Sequence, residues 1–277
     1  MLYKKILIFL YKKISKVYVF IFGRKIMQPV NNLVLSLSLK GNGYMNYGSF
    51  KDSGEKFFIN LIRDELKLSL DIGANVGNYT EMLLSDTNSK VISFEPLPKA
   101  FDKLKLIKSD YKDRLEIHNV AIGIKDEVLE LFYGTEKSEK ASLMKDLEKI
   151  SFIKEQNKNK VSVQVRQLDY FQNYFKDEVI DFIKIDTEGF EYEVLMGAKN
   201  ILEIHQPKFI QVEFNWHQLI KKQTLYNFSE LIKFSDVFKI LPYGNKLLHI
   251  DPFRPENNIY HLSNYVFIRK DISDKYK

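Results

Sequence analysis

Five residues stand where a chain of this pattern concentrates its chemistry: Asp71, Glu95, Asn119, Asp186 and Glu213. Each falls at or beside the end of a short apolar run that reads as a β-strand: LSLDI, KVISFE, LEIHNV, VIDFIKID and KFIQVEF. In open α/β sheets ligands bind outside the carboxyl ends of the strands. Four of the five residues are acids, and an acidic rim attracts a cationic ligand. His217, in EFNWH, follows Glu213 closely and is the best-placed of five histidines for general-base work near neutral pH. Asp186, Glu213 and His217 are the candidate proton acceptors, with no order among them. Asp186 also fits a helix N-cap, as does Asp169, and Glu191 fits the first turn of a helix, where the dipole favours an acid.

The second chemical signal is the turn Gly73-Ala74-Asn75-Val76-Gly77, directly after the LSLDI strand. Tyr79, Met82 and Leu83 follow at helical spacing, so the unit is strand, glycine turn, helix. Glycines allow close backbone approach to a ligand, and a helix start offers free N–H groups. The spacing is G-x-x-x-G, which matches neither the dinucleotide fingerprint nor a P-loop. Glu95 lies 22 residues beyond Gly73, where an acid holds a ribose hydroxyl pair. A carboxylate accepts the two hydrogen bonds that a diol donates. The chain has no cysteine and no H-x-x-x-H pair, so thiolate and zincin-type sites are excluded and no metal is expected.

The elements that must position these residues alternate strand and helix. A helix is expected from about Gly54 to Leu66, with Asp52 and Glu55 as a capping-box-like start. Another runs from about Lys99 to Asp110, and one follows TEGFE through about Leu202. Val128–Tyr133 and Val161–Leu168 have alternating strand composition with no clear helix between them, which predicts an antiparallel pair. The charged segment from Thr135 to Lys160 joins them, as a lid or as a solvated loop. Leu225–Phe234 is amphipathic, and short strands are expected near Phe238–Leu241, Leu247–Ile250 and Tyr265–Arg269.

With 277 residues, 45% of them hydrophobic, the chain can bury one large α/β core. The net charge of +6 is uneven: residues 1–51 hold nine lysines and arginines and no acid, leaving 33 basic against 36 acidic residues beyond them. The basic character belongs to the head, so no nucleic-acid partner is expected for the sheet domain. Residues 1–27 alternate apolar runs with lysines, and neither run reaches the roughly 18 residues of a membrane span. Three readings stand: an interfacial helix on anionic lipid, a helix packed on its own domain, and, least fitting for want of a cleavage site, a signal peptide. Residues 31–51 read as a polar loop. The division expected is a basic amphipathic extension over 1–40 and a catalytic domain over 41–277.

DIGANVG at 71–77, FEP at 94–96, NVAIG at 119–123 and IKIDTEGFEYEVLMGA at 183–198 resemble, in order and spacing, the FkbM family of S-adenosylmethionine-dependent methyltransferases. SGE at 53–55 and PKFIQVEF at 207–214 are similar too. The resemblance covers roughly Asn42 to Phe214. It implies an α/β, Rossmann-like methyltransferase fold with a mostly parallel seven-stranded sheet, helices on both faces and the N-terminal extension outside. It implies S-adenosylmethionine as cofactor and methyl transfer to a hydroxyl of a sugar, such as a surface polysaccharide precursor, or a similar metabolite. Asp71, Gly73, Asn75 and Gly77 would line the methionine and ribose side, with Glu95 on the ribose diol and Asn119 to Ala121 beside the adenine. The Asp186–Gly189 turn would face the reaction centre. The expected place is the cytoplasm, with the head available to the inner face of the membrane. Methylation of RNA or lipid is the alternative, and an NAD-dependent oxidoreductase is disfavoured by the missing third glycine.

Overall fold

The computed structural model describes residues 2–134, 141–144, 159–175, 178–244 and 246–277. Two helices open the chain, α1 (Leu2–Phe22) and α2 (Gln28–Gly41). Then follow α3 (Phe50–Ser53), α4 (Glu55–Ile62), β1 (Leu68–Ile72), α5 (Asn78–Asp86), β2 (Lys90–Phe94), α6 (Pro98–Asp110), β3 (Leu115–His118), β4 (Ala121–Ile122), β5 (Glu127–Tyr133) and β6 (Asn159–Arg166). The second half runs β7 (Phe182–Ile185), α7 (Glu191–Met196), α8 (Lys199–His205), β8 (Phe209–Phe214), α9 (Trp216–Lys221), α10 (Leu225–Leu231), β9 (Ser235–Ile240), β10 (Leu247–Ile250) and β11 (Ser263–Arg269).

The main sheet has the order β10-β9-β11-β8-β7-β1-β2-β3. From β3 through β8 all neighbours are parallel; β11 runs antiparallel between β8 and β9. This is the Rossmann-like methyltransferase sheet, with one strand more than the seven expected. The addition is β10, which pairs antiparallel with β9 at the edge. A small sheet, β4-β6-β5, stands apart and holds the expected antiparallel pair, β5 with β6.

Burial follows from the runs that make the strands. β1 is buried at all five positions because helices cover both faces of the sheet. On one face Phe58 of α4 packs edge-on against Phe182 and Phe209. Each such ring contributes about 1.5–3 kcal/mol by leaving water. On the other face Val194, Leu195, Ile201 and Leu202 cover Ile72, Ile183 and Ile185.

The chain leaves β1 toward β2 and β3 and later returns to β7 and β8 on the other side. The switch point lies between β1 and β7, where a cleft opens beyond the strand ends. Register fixes the geometry there: Ile72 pairs with Ile185, so Gly73 and Asp186 emerge side by side.

Several local expectations are corrected. Residues 31–51 are not one loop: α2 continues to Gly41, begun by Pro29 in its first turn and carried by apolar residues at helical spacing. The α4 N-cap is Gly54, in the left-handed region; Asp52 belongs to α3, where its N–H and carboxylate both pair with Ser49. Asp186 is no N-cap, because α7 starts only at Glu191. Asp169 does cap a helix, but a distant one: its carboxylate accepts from the N–H groups of Asn200 and Ile201 at the start of α8. The segment Thr135–Lys160 lies outside the described residues except for 141–144 and the start of β6.

Candidate active site

The cleft has a volume of about 1070 Å³. That is at the top of the range for a single small-ligand site, so it has room for a cofactor and an acceptor together. One wall is formed by the loops after β1, β2 and β3: Gly73–Val76, Glu95–Leu97 and Val120–Ile122. The other is formed by Asn46–Phe50, Asn215–His217 and the stretch Tyr260–Leu262 with Asn264. Asp186, Thr187 and Glu188, after β7, stand between them.

The glycine turn is held by backbone bonds. Gly73 N–H and Ala74 N–H both donate to Phe94 O at 3.0 Å, and Asn75 N–H donates to Glu95 Oε2 at 2.8 Å. Gly73 has φ of +84°, and a Cβ there would lie 1.8 Å from Asp186 O. Only glycine fits where the two walls touch. With these N–H groups already committed, the turn has little to offer a pyrophosphate, which argues against a dinucleotide.

Glu95 is 6% exposed, and its other oxygen accepts from Leu97 N–H at 2.7 Å. Each oxygen thus accepts one hydrogen bond and has the capacity for a second, as a diol contact requires. Burial pushes its pKa up to about 7, against the pull of the two N–H groups. Of the seven expected cofactor residues, Gly73, Asn75, Glu95 and Ala121 line the cleft. The other three shape it from behind. Asp71 is fully buried and accepts from Thr80 Oγ1 at 2.6 Å. Gly77 leaves space for Leu104 and Ile107 of α6. Asn119 donates to the carbonyls of Glu95 and Pro96.

The opposite wall is a side-chain network. Lys184 is 5% exposed; its Nζ lies 3.0 Å from Asp186 Oδ2, 3.9 Å from Asp71 Oδ1 and 4.6 Å from the centre of the Tyr79 ring. Burial opposes its charge, but Asp186, Asp71 and Glu55 outweigh burial and raise its pKa. Tyr79 Oη donates to Gln211, whose amide donates to Glu55 at 2.8 Å. Glu55 also accepts from Ser53 Oγ at 2.6 Å, and burial raises its pKa. A lysine in the middle of the apolar run VIDFIKID and the SGE stretch at 53–55 are the sequence signals that touch this network, and Lys184, Glu55 and Tyr79 were absent from the expected site.

The three expected proton acceptors, Asp186, Glu213 and His217, all line the cleft, and their states differ. Burial works against the Asp186 charge, but Lys184 and a hydrogen bond from Glu213 overcome it and lower its pKa. Glu213 is pushed well up by burial and by the charges of Asp186 and Glu188, so it is the protonated partner. His217 is lowered to about 3, by burial first and then by Lys221. Its Nδ1 lies 2.6 Å from Asn215 Oδ1, an atom that also accepts the His217 N–H at 2.8 Å. An amide oxygen cannot donate, so Nδ1 carries the proton and Nε2 keeps its lone pair. Asn215 is fixed in turn by a capping box with Gln218.

Glu191 is buried as a clamp. One oxygen accepts from the N–H groups of Thr187 and Gly189, and the other from the Gln218 amide. Asp186, Glu188 and Glu213 can each place an oxygen within 4.8 Å of the others, a spacing compatible with a cation. Lys184 already brings one positive charge to Asp186. Among the described residues Lys184 is also the only lysine or arginine on the cleft wall, against the carboxyl groups of Glu55, Glu95, Asp186, Glu188 and Glu213. That donor set suits a sulfonium cofactor, which carries a positive charge and no phosphate.

Comparison with known proteins follows the same line. Residues 71–243 match the model of the methyltransferase FkbM domain. Among solved structures, an FkbM methyltransferase from Methylobacillus flagellatus aligns at 18% identity over 73% of this chain, with a TM-score of 0.46. The chain spans only 44% of that protein's length. An O-methyltransferase from Bacillus cereus in complex with SAH aligns at 12% identity over 93% of this chain and 97% of its own, TM-score 0.43. An rRNA methylase from Streptococcus thermophilus aligns at 10% identity over 78% and 93%, TM-score 0.41. No curated protein matches the sequence. The family match covers more than half of the chain, from the glycine turn past Glu213 and His217, and the chain therefore belongs to the FkbM family of S-adenosylmethionine-dependent methyltransferases.

Proposed function

We propose that the enzyme methylates a hydroxyl group of a sugar, in a surface polysaccharide or a glycan precursor. The observation that carries this reading is the His217–Asn215 pair facing the acceptor side of the cleft. S-adenosylmethionine, when bound, supplies an electrophilic methyl group. The chain must then orient the acceptor oxygen and receive its proton. His217 is neutral throughout the physiological range and its Nε2 has no hydrogen-bond partner among the described residues, so it is placed to accept the hydrogen bond of the acceptor hydroxyl; with a pKa of about 3 it is a weak base by itself, and the negative charge of Asp186 supports the proton as it transfers. Glu213, already protonated, cannot serve as a base; Asp186, paired with Lys184, is a weak one. Their roles are to hold negative charge beside the reacting centre and to position the acceptor.

The acceptor wall supports a sugar. Tyr47, Trp216 and Tyr260 offer aromatic faces, and Asn46, Asn264 and His261 offer polar edges. Such a mixture suits a ring with apolar faces and a rim of hydroxyls. Among the described residues the cleft carries one buried, paired lysine and five carboxyl groups, a lining better suited to a neutral acceptor than to a phosphate backbone. The cofactor is a cytoplasmic metabolite, and that supports a cytoplasmic enzyme working on a precursor.

The test is methyl transfer from labelled S-adenosylmethionine to three acceptor pools: oligosaccharides, RNA and phospholipids. Label is expected in the oligosaccharide pool, as an O-methyl ether identified by NMR. Label confined to RNA or phospholipid would replace this reading.

A further inference from the structure

The N-terminal helices are the part of the molecule that the site does not use. None of the side chains from Phe9 to Gly41 is buried, and none belongs to a hydrophobic cluster. The two helices hold each other instead: Tyr18 Oη donates to Asn31 Oδ1 at 2.6 Å, and the Asn31 amide donates to Phe22 O at 2.8 Å. Among the described residues, 29 large hydrophobic side chains are exposed, and 15 of them lie between Phe9 and Leu37. So dense an apolar surface on one seventh of the chain marks a contact surface.

Its pattern selects the partner. On α1, Leu10, Ile14, Val17 and Ile21 recur at i, i+4, i+7 and i+11 and share one side, while Lys12 and Lys16 fall roughly half a turn away. On α2, Val30, Leu33, Val34 and Leu37 make a second exposed stripe. The first acid of the sequence is Asp52, so nothing on this hairpin offsets its basic residues. A second copy would bring two such sets of cations together with no acids between them. An anionic lipid surface accepts both the apolar stripes and the lysines. Among the described residues no helix is long and apolar enough to cross a membrane, so the fit is to a bilayer surface and not to a span.

We infer that α1 and α2 form a docking surface for an anionic lipid bilayer. Docking would also hold the cleft close to the membrane. Gly41 ends α2, and Asn46 already lines the cleft; five residues reach at most about 18 Å.

The experiment is flotation of the full chain on a density gradient with vesicles of phosphatidylcholine alone or mixed with phosphatidylglycerol. Flotation separates binding from aggregation, since aggregates sink. The protein is expected to float with the anionic vesicles only, and less as salt rises. Reversing three exposed lysines together (Lys12→Glu, Lys13→Glu, Lys16→Glu) is expected to lower partitioning by at least about a hundredfold, from about 1 kcal/mol per charge. Leu37→Asp on α2 should also weaken it. Both variants should bind S-adenosylmethionine normally in calorimetry, which separates failure of docking from failure of the fold or site. Equal flotation with neutral and anionic vesicles, or none with either, would overturn the inference. So would a defined dimer in light scattering that does not float, which would assign the face to a second copy.

Discussion

The two walls of the cleft are built in different ways. The cofactor wall is made of backbone: a turn with a left-handed glycine, N–H groups donating to Phe94 and Glu95, and one carboxylate as the anchor. The acceptor wall is made of side chains from distant segments, joined through Lys184, Glu55, Gln211, Asp186, Glu213 and Asn215. The first wall is rigid because its geometry is local. The second is held by charge balance in a buried setting, where one unpaired member costs several kcal/mol.

The sharpest way to break this contrast is at the point where the walls touch. Gly73→Ala places a methyl group against Asp186 O and forces a left-handed backbone on alanine. It is expected to abolish cofactor binding and transfer together, with loss of about 1–3 kcal/mol from backbone strain alone. Calorimetry with S-adenosylmethionine and a chemical denaturation curve would measure both, and unchanged affinity would show that the walls are independent there.

His217→Gln should separate the walls. Turnover is expected to fall by about 10²-fold, the low end of a general base's contribution because the His217 pKa lies far below neutral pH, with cofactor affinity unchanged. The variant also has a readout in stability. The His217 pKa is about 3 in the folded chain against 6.5 for a free histidine, so its stabilising contribution is present above pH 6.5 and is lost as pH falls toward 3. Replacing it should flatten the pH dependence of stability in that window; an unaltered acid-denaturation curve would contradict a buried neutral imidazole.

Glu95→Ala acts on the cofactor wall alone. It removes the diol contact and the anchor of the Asn75 and Leu97 N–H groups. Charge-assisted hydrogen bonds are worth roughly 1.5–3 kcal/mol, so affinity should drop about ten- to a hundredfold. An unchanged dissociation constant in a folded variant would remove Glu95 from the ribose site.

The smallest effect is the pH dependence of that same contact. With its pKa raised to about 7, Glu95 is protonated in the free enzyme as pH falls below 7 and loses acceptor capacity. Cofactor affinity should weaken by about tenfold between pH 8 and pH 6. Glu95→Gln should remove this dependence; a slope that survives the substitution would point to another group.

The sequence by itself determined the α/β sheet, through the motifs that carry the family resemblance, and the glycine turn that lines its cleft. Those features rest on contiguous signals: LSLDI then GANVG, and FEP at a strand end. The antiparallel pair β5–β6 was legible for the same reason, as two alternating runs. What the sequence misread was local where tertiary contacts override propensity. Glu55 looks like a helix-capping acid and is instead a buried member of the network, and Asp169 caps a helix thirty residues away. Asp186, Glu213 and His217 could be picked out as candidates but not ranked. Their protonation states depend on what is buried beside each: Lys184 for Asp186, two carboxylates for Glu213, and Asn215 and Lys221 for His217. Strand register and helix packing place those neighbours: Asp186 and Glu188, after β7, come against Glu213 at the end of β8, and only the folded molecule brings them together.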